Sequence, residues 1–258
     1  MEVKAMKYKK LNVIQQSGLS LIELMIAMAT SVTLLAGVIQ LAISNKDIYN
    51  FRHSQSITQE NTRFAYHFAD QVLAKAGYVS APQTPRGSMF PFASATTQCA
   101  AFKIGQIISN SLEGTGLCIR YQREKSTDTD CLGNNITSSN AIVTRLFFDS
   151  STNSLKCGAQ NVAAAELVQH IENMLFIYGI SNDTAEVGRS INAYVSTPNE
   201  WENIVSIQIA TLTSSDMQTR NVSPPYYFPL NTTTATPAAD KRLYSSSVKT
   251  VTLRNATL

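Results

Sequence analysis

Charged residues are scarce in this chain of 258 residues. Asp, Glu, Lys and Arg together make up 15% of the sequence, whereas an average soluble domain contains roughly 25%. This shortage excludes a charge-rich disordered tail, and it excludes a nucleic-acid-binding protein that relies on bulk positive charge. The length allows one ordinary domain with an appendage, or two small domains.

The sequence also lacks the short motifs that mark common enzymes and metal sites. It contains no H-E-x-x-H, no G-x-S-x-G and neither glycine-rich phosphate-binding pattern. No two cysteines stand in C-x-x-C spacing, and none of the three histidines lies near a cysteine at ligand spacing. Asp128 and Asp130 lack the Gly and Glu partners of a calcium loop and are interpreted as part of a solvated turn. We therefore predict no catalysis, no cofactor and no bound metal.

The positive charge of the chain is concentrated at its N-terminus. Residues 1–18 contain four lysines and one glutamate, which accounts for the whole formal net charge of +3. The remaining residues net to zero, so that direct nucleic-acid binding by the cations at Arg120, Arg123 and Lys125 is not expected. The basic leader is followed at once by an apolar run.

This apolar run extends from Leu19 to Ile43, and Glu23 is its only charged residue. As a helix, the uncharged part from Leu24 to Ile43 rises about 30 Å, the thickness of the hydrocarbon core of a bilayer. The run is too long for an ordinary secretory signal. Positive charge before the run places the N-terminus in the cytoplasm and the rest of the chain outside the membrane. We therefore predict a single-span anchor at residues 19–43.

The residues around Glu23 resemble the class III signal of type IV prepilins. The basic leader, residues 1–18, ends in Ser17-Gly18. It is followed by Leu19-Ser20-Leu21-Ile22-Glu23, in which Glu23 is the fifth residue after the Gly. The resemblance implies that a prepilin peptidase cuts between Gly18 and Leu19 and methylates the new N-terminus. It also implies that Glu23 pairs with the α-amine of a neighbouring subunit and so sets the axial register. An unpaired carboxylate in an apolar helix is otherwise costly.

Beyond Ile43 the apolar residues fall on one side of a helix. The positions with helical spacing are Ile57, Phe64, Phe68 and Val72, and the stripe is widened by Ala65, Ala69 and Leu73. No proline precedes Pro82, and Gly77 is a natural helix stop. We expect one long N-terminal helix at residues 19–77, with this stripe packed against a head domain.

Four further segments resemble the PilW-type minor pilins and follow in that family's order: Gln59–Ala65 with Ala76–Tyr78, Ile171–Gly179, Trp201 with Val205–Leu212, and Arg242–Asn255. The resemblance implies a type IV pilin-like α+β fold, in which an antiparallel β-sheet head covers the second half of the helix.

Residues 78–258 alternate between turn residues and short apolar runs. We predict strands at Ala101–Ile108, Leu117–Tyr121, Ala141–Phe148, Leu175–Ile180, Ile204–Thr213 and Ser247–Arg254, and a short helix near Val162–Ile171. Residues 81–91, 126–139 and 222–240 are interpreted as loops.

All four cysteines lie in the head, where an oxidising periplasm permits disulfide bonds. Cys99, Cys118, Cys131 and Cys157 allow three pairings. Sequential pairing, Cys99 with Cys118 and Cys131 with Cys157, is favoured over the other two, which stay open.

The chain is thus expected to be a minor pilin, cut and inserted into a type IV pilus. By resemblance, it joins other minor pilins and the major pilin, helps to initiate assembly, and lies at the filament tip, where a tip adhesin is a further partner. Before assembly it resides in the bacterial inner membrane, and afterwards on the cell surface, where the pilus serves attachment, twitching motility or DNA uptake. A type II secretion pseudopilin and an uncleaved, membrane-anchored periplasmic binding protein are the alternatives.

Overall fold

The computed structural model describes Gly18 and residues 20–159, 161–182, 189–219, 225–229, 236–238 and 240–256. The chain divides between Tyr49 and Asn50 into two compact units. The described part of the first unit is almost entirely helical, and its apolar side chains are exposed. The second unit contains the remainder of that helix and all the strands.

The long N-terminal helix, α1, extends from Leu21 to Lys75, and the prediction of such a helix is confirmed. It ends because Gly77 adopts a positive φ of 75°, which L-residues with a side chain rarely adopt. Carbonyl groups at its C-terminal end accept hydrogen bonds from a side chain elsewhere in the chain. The side-chain amide of Asn255 donates to the carbonyl oxygens of Ala74 and Ala76, at 3.1 and 3.2 Å.

A short helix, α2, comprises Arg86–Met89, and a single 3₁₀ turn comprises Trp201–Asn203. The strands within the described residues are β1 Ile108–Asn110, β2 Thr115–Tyr121, β3 Ile142–Asp149, β4 Ser154–Ala159, β5 Ala165–Val168, β6 Ile171–Ile180, β7 Ala193–Val195, β8 Ile204–Gln218, β9 Pro225–Tyr226, β10 Thr236–Pro237 and β11 Arg242–Thr252.

The strands form two main antiparallel sheets, where the sequence predicted one. The five-stranded sheet is a meander in the order β1-β2-β3-β4-β5. The four-stranded sheet has the order β11-β8-β6-β7, and the short strands β9 and β10 pair with each other. Because β8 lies in the middle of the four-stranded sheet, it pairs with β6 on one side and with β11 on the other.

The main core lies where the second half of α1 meets the inner faces of both sheets. The five-stranded sheet contributes Leu117, Ile119, Leu146, Phe148 and Leu155 to this core, and the four-stranded sheet contributes Met174, Phe176, Ile207, Ile209 and Val251. One core shared by two sheets makes the second unit a single packed body.

The predicted helix stripe in contact with this core is confirmed at Ala65, Ala69, Val72 and Leu73 but is wrong at Phe64. Ala65, Ala69 and Leu73 are completely buried, whereas Phe64 is 48% exposed. Small alanine side chains let the helix approach the sheet closely, and that position leaves no room for a phenylalanine. Phe64 instead remains at the surface beside Phe68, which is partly buried against the core, and their ring centroids are 6.3 Å apart.

Two predicted elements are wrong. The segment near Val162–Ile171 is not a helix, because β5 pairs there with β4 and sheet pairing overrides the helical propensity of its alanines. The segment Ala101–Ile108 contains only an isolated bridge at Phe102 before β1. Gly105, with a φ of 76°, interrupts the extended conformation that a strand requires.

Candidate functional site

The sequence motif at the start of α1 lies at a helix boundary. Gly18 and Ser20 are exposed and have no regular secondary structure, and α1 begins at Leu21. Leu19 lies outside the described residues. The peptide bond that the motif predicts as the cut site therefore follows a non-helical Gly. Among the described residues, no atom lies within 4 Å of a Cβ added at Gly18.

Glu23 has a local hydrogen-bond partner that the sequence interpretation missed. Its Oε2 accepts a hydrogen bond of 3.0 Å from the backbone N–H of Ser20. Ser20 precedes the helix and Glu23 is its third residue, which is the glutamate half of a capping box. The pattern S-x-x-E in the sequence was the signal that could have revealed it. The carboxylate thereby lies at the positive end of the helix dipole.

The helix that follows is suited to a membrane or to a core of packed helices. Leu21–Lys75 contains a stretch long and apolar enough to cross a bilayer, by length and composition. In this stretch, the hydroxyl groups of Thr30, Ser31 and Thr33 donate to carbonyl oxygens of the preceding helical turn. Thr30 donates to the carbonyl oxygens of Ile26 and Ala27, both at 3.0 Å, and Ser31 donates to that of Ala27 at 2.6 Å. Internal pairing lowers the free-energy cost of burying these hydroxyls in an apolar medium.

The four cysteines are joined in the two sequential pairs. One disulfide connects Cys99, in the loop before β1, with Cys118 on β2. The other connects Cys131, in the loop before β3, with Cys157 on β4. Each bond therefore attaches an irregular segment to a central strand of the five-stranded sheet.

Two arginines are buried in the outer layer of that sheet. Arg120 is 2% exposed, and it donates to the carbonyl oxygens of Pro91 at 2.6 Å and Lys103 at 3.0 Å, and also to that of Gln106. Burial lowers the pKa of the Arg120 guanidinium to about 10, and it remains charged at neutral pH. Arg145 forms an ion pair with Glu113. Arg120 therefore holds the loop of residues 90–106 and does not belong to an exposed basic face.

The pair Asp128 and Asp130 forms turns. Asp128 accepts hydrogen bonds from the backbone N–H groups of Lys125 and Glu124, which lower the pKa of its carboxyl. Asp130 accepts from the N–H groups of Leu132 and Asn134, at 2.8 and 2.9 Å. Within the described residues, no group of three or more His, Cys, Asp or Glu side chains could hold a metal ion.

A seam of hydroxyl groups joins α1 to the four-stranded sheet. The Tyr66 hydroxyl lies 2.9 Å from the hydroxyl oxygens of both Thr211 and Ser247, which are 3.0 Å from each other. Burial raises the pKa of the Tyr66 phenol. Thr62 and Thr213 lie one helical turn earlier, with their hydroxyl oxygens 3.0 Å apart. These contacts fix the second half of α1 on the sheet.

Comparisons with known proteins identify the family of the chain. The family model of type IV pilus-assembly protein W, PilW, matches residues 121–255. Among solved structures, a type IV-like pilin from Thermus thermophilus is similar over 77% of this chain and 97% of its own, with 13% identity and a TM-score of 0.45. No curated protein sequence matches the chain. Because the matched segment spans more than half of the 258 residues, the chain belongs to the PilW family of type IV pilus-assembly proteins.

Proposed function

We propose that the chain is a minor pilin that a prepilin peptidase cuts after Gly18 and that enters a type IV pilus through α1. The observation that carries the proposal is the position of Gly18 and Glu23 on either side of the start of a long apolar helix, in a member of the PilW family. Residues 1–18 are then a leader, residues 19–77 a spine that includes the membrane segment 19–43, and residues 78–258 the exported head. The protein acts by docking its neighbours and has no catalytic step of its own.

Cleavage creates the chemistry that Glu23 needs. It leaves a new α-amine, with a pKa of roughly 8 in water, at the tip of an apolar helix. In a filament of staggered helices, the Glu23 carboxylate of one subunit lies beside the amine of the next. Each charge alone is costly in an apolar medium, and pairing offsets that cost. The hydrogen bond from Ser20 holds the carboxylate at the helix start before a neighbour arrives.

The size of the head favours the tip of the filament. Roughly 180 residues follow the spine, and a head of this size fits best where one side is free of neighbours. There it would meet other minor pilins and a tip adhesin, and it would help to initiate assembly. Immunogold labelling of native filaments tests the location: we expect label at filament ends, and label along whole filaments would contradict it.

The primary test is mass spectrometry of the N-terminal peptide, on protein from native cells and from cells that lack the prepilin peptidase. We expect a chain that starts at methylated Leu19, and a chain that keeps its leader when the peptidase is absent. A chain that starts at Met1 in both strains would instead support the uncleaved periplasmic protein. Recovery in a secretion pseudopilus and not in pili would support the pseudopilin.

The role of Glu23 is tested by two substitutions. Glu23→Gln keeps an oxygen that accepts the Ser20 hydrogen bond but removes the charge, and Glu23→Ala removes both. If charge pairing drives incorporation, both variants are depleted from sheared filaments to a similar extent. Incorporation of Glu23→Gln at the wild-type level would show that only the helix cap matters.

A further inference from the structure

The two disulfide bonds of the head differ in their access to solvent. Cys99 is 2% exposed and Cys118 is completely buried, so that both ends of that bond lie in the interior. In the other bond Cys157 is also completely buried, whereas its partner Cys131 is only partly buried. The head therefore has one enclosed disulfide and one that reaches the surface at a single residue.

Cys131 lines a cavity of about 370 Å³. The cavity lies between the last turns of α1 and the loop of residues 122–141, which connects β2 with β3. Gln71 and Lys75 line its helical side and are exposed, so that the cavity opens to solvent there. Because pockets for small molecules begin at about 300 Å³, a small molecule can reach Cys131 without unfolding the head.

The residues around this cavity carry no net charge that would exclude an anion. Its charged residues are Lys75 and Asp130, one of each sign. The Asp130 carboxylate accepts hydrogen bonds from the N–H groups of its own loop, at Leu132 and Asn134. The Lys75 ammonium donates to the carbonyl oxygen of Thr129 at 3.1 Å, two residues before Cys131. A thiolate, the reactive form of a thiol, can therefore enter.

We infer that Cys131 is a site of thiol–disulfide exchange, at which a small thiol enters the cavity and opens the bond to Cys157. The inference concerns the head alone and does not depend on processing at Gly18. Attack on a disulfide needs a path to one of its sulfur atoms, and exposed disulfides are accordingly the labile ones. The enclosed bond between Cys99 and Cys118 offers no such path and stays closed in the folded head.

The exchange proceeds in two steps. The thiolate of the small thiol attacks Sγ of Cys131, a mixed disulfide forms there, and Cys157 leaves as a thiolate. A second small thiolate then attacks the external sulfur of the mixed disulfide and releases Cys131 as a thiolate. The two small thiols become one small disulfide, and the protein disulfide gains their two electrons. The two protons that the small thiols release are taken up by Cys131 and Cys157.

The burial of Cys157 makes the first step readily reversible. Its thiolate is left on β4, within the main core and beside the side chains around Leu155. A charge in apolar surroundings is costly, so that Cys157 attacks Cys131 again unless a second thiol follows. The bond therefore opens fully only where small thiols are abundant.

Opening the bond releases the loop of residues 122–141 from β4. The loop keeps the hydrogen bond from Lys75 to Thr129 and the buried side chain of Ile136. A second cavity, of about 380 Å³, also separates this loop from the end of α1. Because close packing does not hold the loop there, the disulfide is its main attachment, and reduction frees the loop from the end of the helix.

Mass spectrometry of the full-length protein in detergent locates the site of attack. The protein is incubated with L-cysteine, the exchange is stopped with acid, free thiols are alkylated with N-ethylmaleimide, and each cysteine peptide is quantified. We expect a cysteine adduct on Cys131 and the maleimide on Cys157, at least about tenfold sooner than any label on Cys99 or Cys118. An adduct mainly on Cys157 would overturn the inference. Labelling of all four cysteines at one rate would also overturn it, because that is the result of global unfolding.

A substitution at the mouth of the cavity tests the path to Cys131. Gln71→Trp places a large side chain there, whereas the control Gln59→Trp changes an exposed residue of the same helix that does not line this cavity. We expect opening of the bond to be at least about threefold slower in Gln71→Trp than in the control, at equal thermal stability. Equal rates would overturn the inference. Gln71→Tyr replaces Gln71→Trp if that variant is less stable.

A protein dithiol is the other source of a thiolate, and it is too large to enter the cavity. The rates of opening by L-cysteine and by a reduced thioredoxin are each divided by the rate of the same reductant with a short, unstructured peptide disulfide. We expect the larger quotient for L-cysteine, since the fold hinders the large reductant more. A larger quotient for thioredoxin would overturn the assignment to a small thiol.

Discussion

The two sheets of the head are held in place by different means. The five-stranded sheet bears both disulfide bonds and both buried arginines, each of which attaches an irregular segment to a central strand. The four-stranded sheet contains no cysteine and meets α1 through the hydroxyl groups around Tyr66. Loops that lack a ladder of backbone hydrogen bonds need strong local attachments, whereas two regular elements are already positioned by their own geometry.

The largest expected effect comes from removing the disulfide bonds. They span 19 and 26 residues of sequence, and loops of this size predict roughly 3 kcal/mol of stabilisation each. We expect reduction of the full-length protein in detergent to lower its resistance to guanidinium strongly. Hydrogen exchange should accelerate in β1–β5 before it does in β8 and β11. Equal acceleration in both sheets would show that the disulfides stabilise the head as a whole.

The second prediction concerns Arg120. Arg120→Met leaves the carbonyl oxygens of Pro91, Lys103 and Gln106 without their buried donor. We expect a loss of about 3 kcal/mol in the free energy of unfolding, because unsatisfied buried groups are costly. The matched control is Arg123→Met, which removes a single hydrogen bond to Ile136 and should cost about 1 kcal/mol. Equal values from denaturant unfolding would contradict the assigned role.

The smallest effect is expected at the hydroxyl seam. Tyr66→Phe removes the phenol but leaves Thr211 and Ser247 hydrogen-bonded to each other. We therefore expect a loss of about 1 kcal/mol, with faster hydrogen exchange in β8 and β11 and unchanged exchange in β2–β4. Tyr227→Phe, at an exposed site, is the control. A loss as large as that of Arg120→Met would remove the distinction between the two sheets.

Patterns with a long period or a fixed spacing were readable from the sequence. Fifty-five helical residues without proline, a glycine stop at Gly77, and the strands around Leu117, Val143 and Ile207 were all found. The predicted short helix near Val162 was wrong because that segment pairs with β4 in a sheet. The predicted strand from Ala101 was wrong because Gly105 interrupts the extended conformation. The stripe on α1 was predicted correctly at Ala69 and Leu73 but wrongly at Phe64. Apolar spacing identifies a helix face but not which of its residues are small enough to lie against the sheet.

The candidate sites also differ in whether a local sequence pattern identifies them. Gly18 and Glu23 are identified by local spacing, and the S-x-x-E cap between Ser20 and Glu23 is equally local, since all its atoms lie within one turn of helix. The position of β11 at the end of the four-stranded sheet, among the described strands, has no local signal. A strand is an edge only because of the strands that do not pair with it, and that depends on the order of the whole sheet.

The sequence alone determined that the chain has a basic N-terminal segment, an apolar helix and a strand-rich region after it, because charge, hydropathy and periodicity are properties of neighbouring residues. The tertiary structure decided how many sheets the head contains, which side of α1 is buried, and which of the described strands lie at the edges of the sheets. Those outcomes depend on contacts between residues far apart in the chain, where close packing selects one arrangement among several that the same local pattern allows.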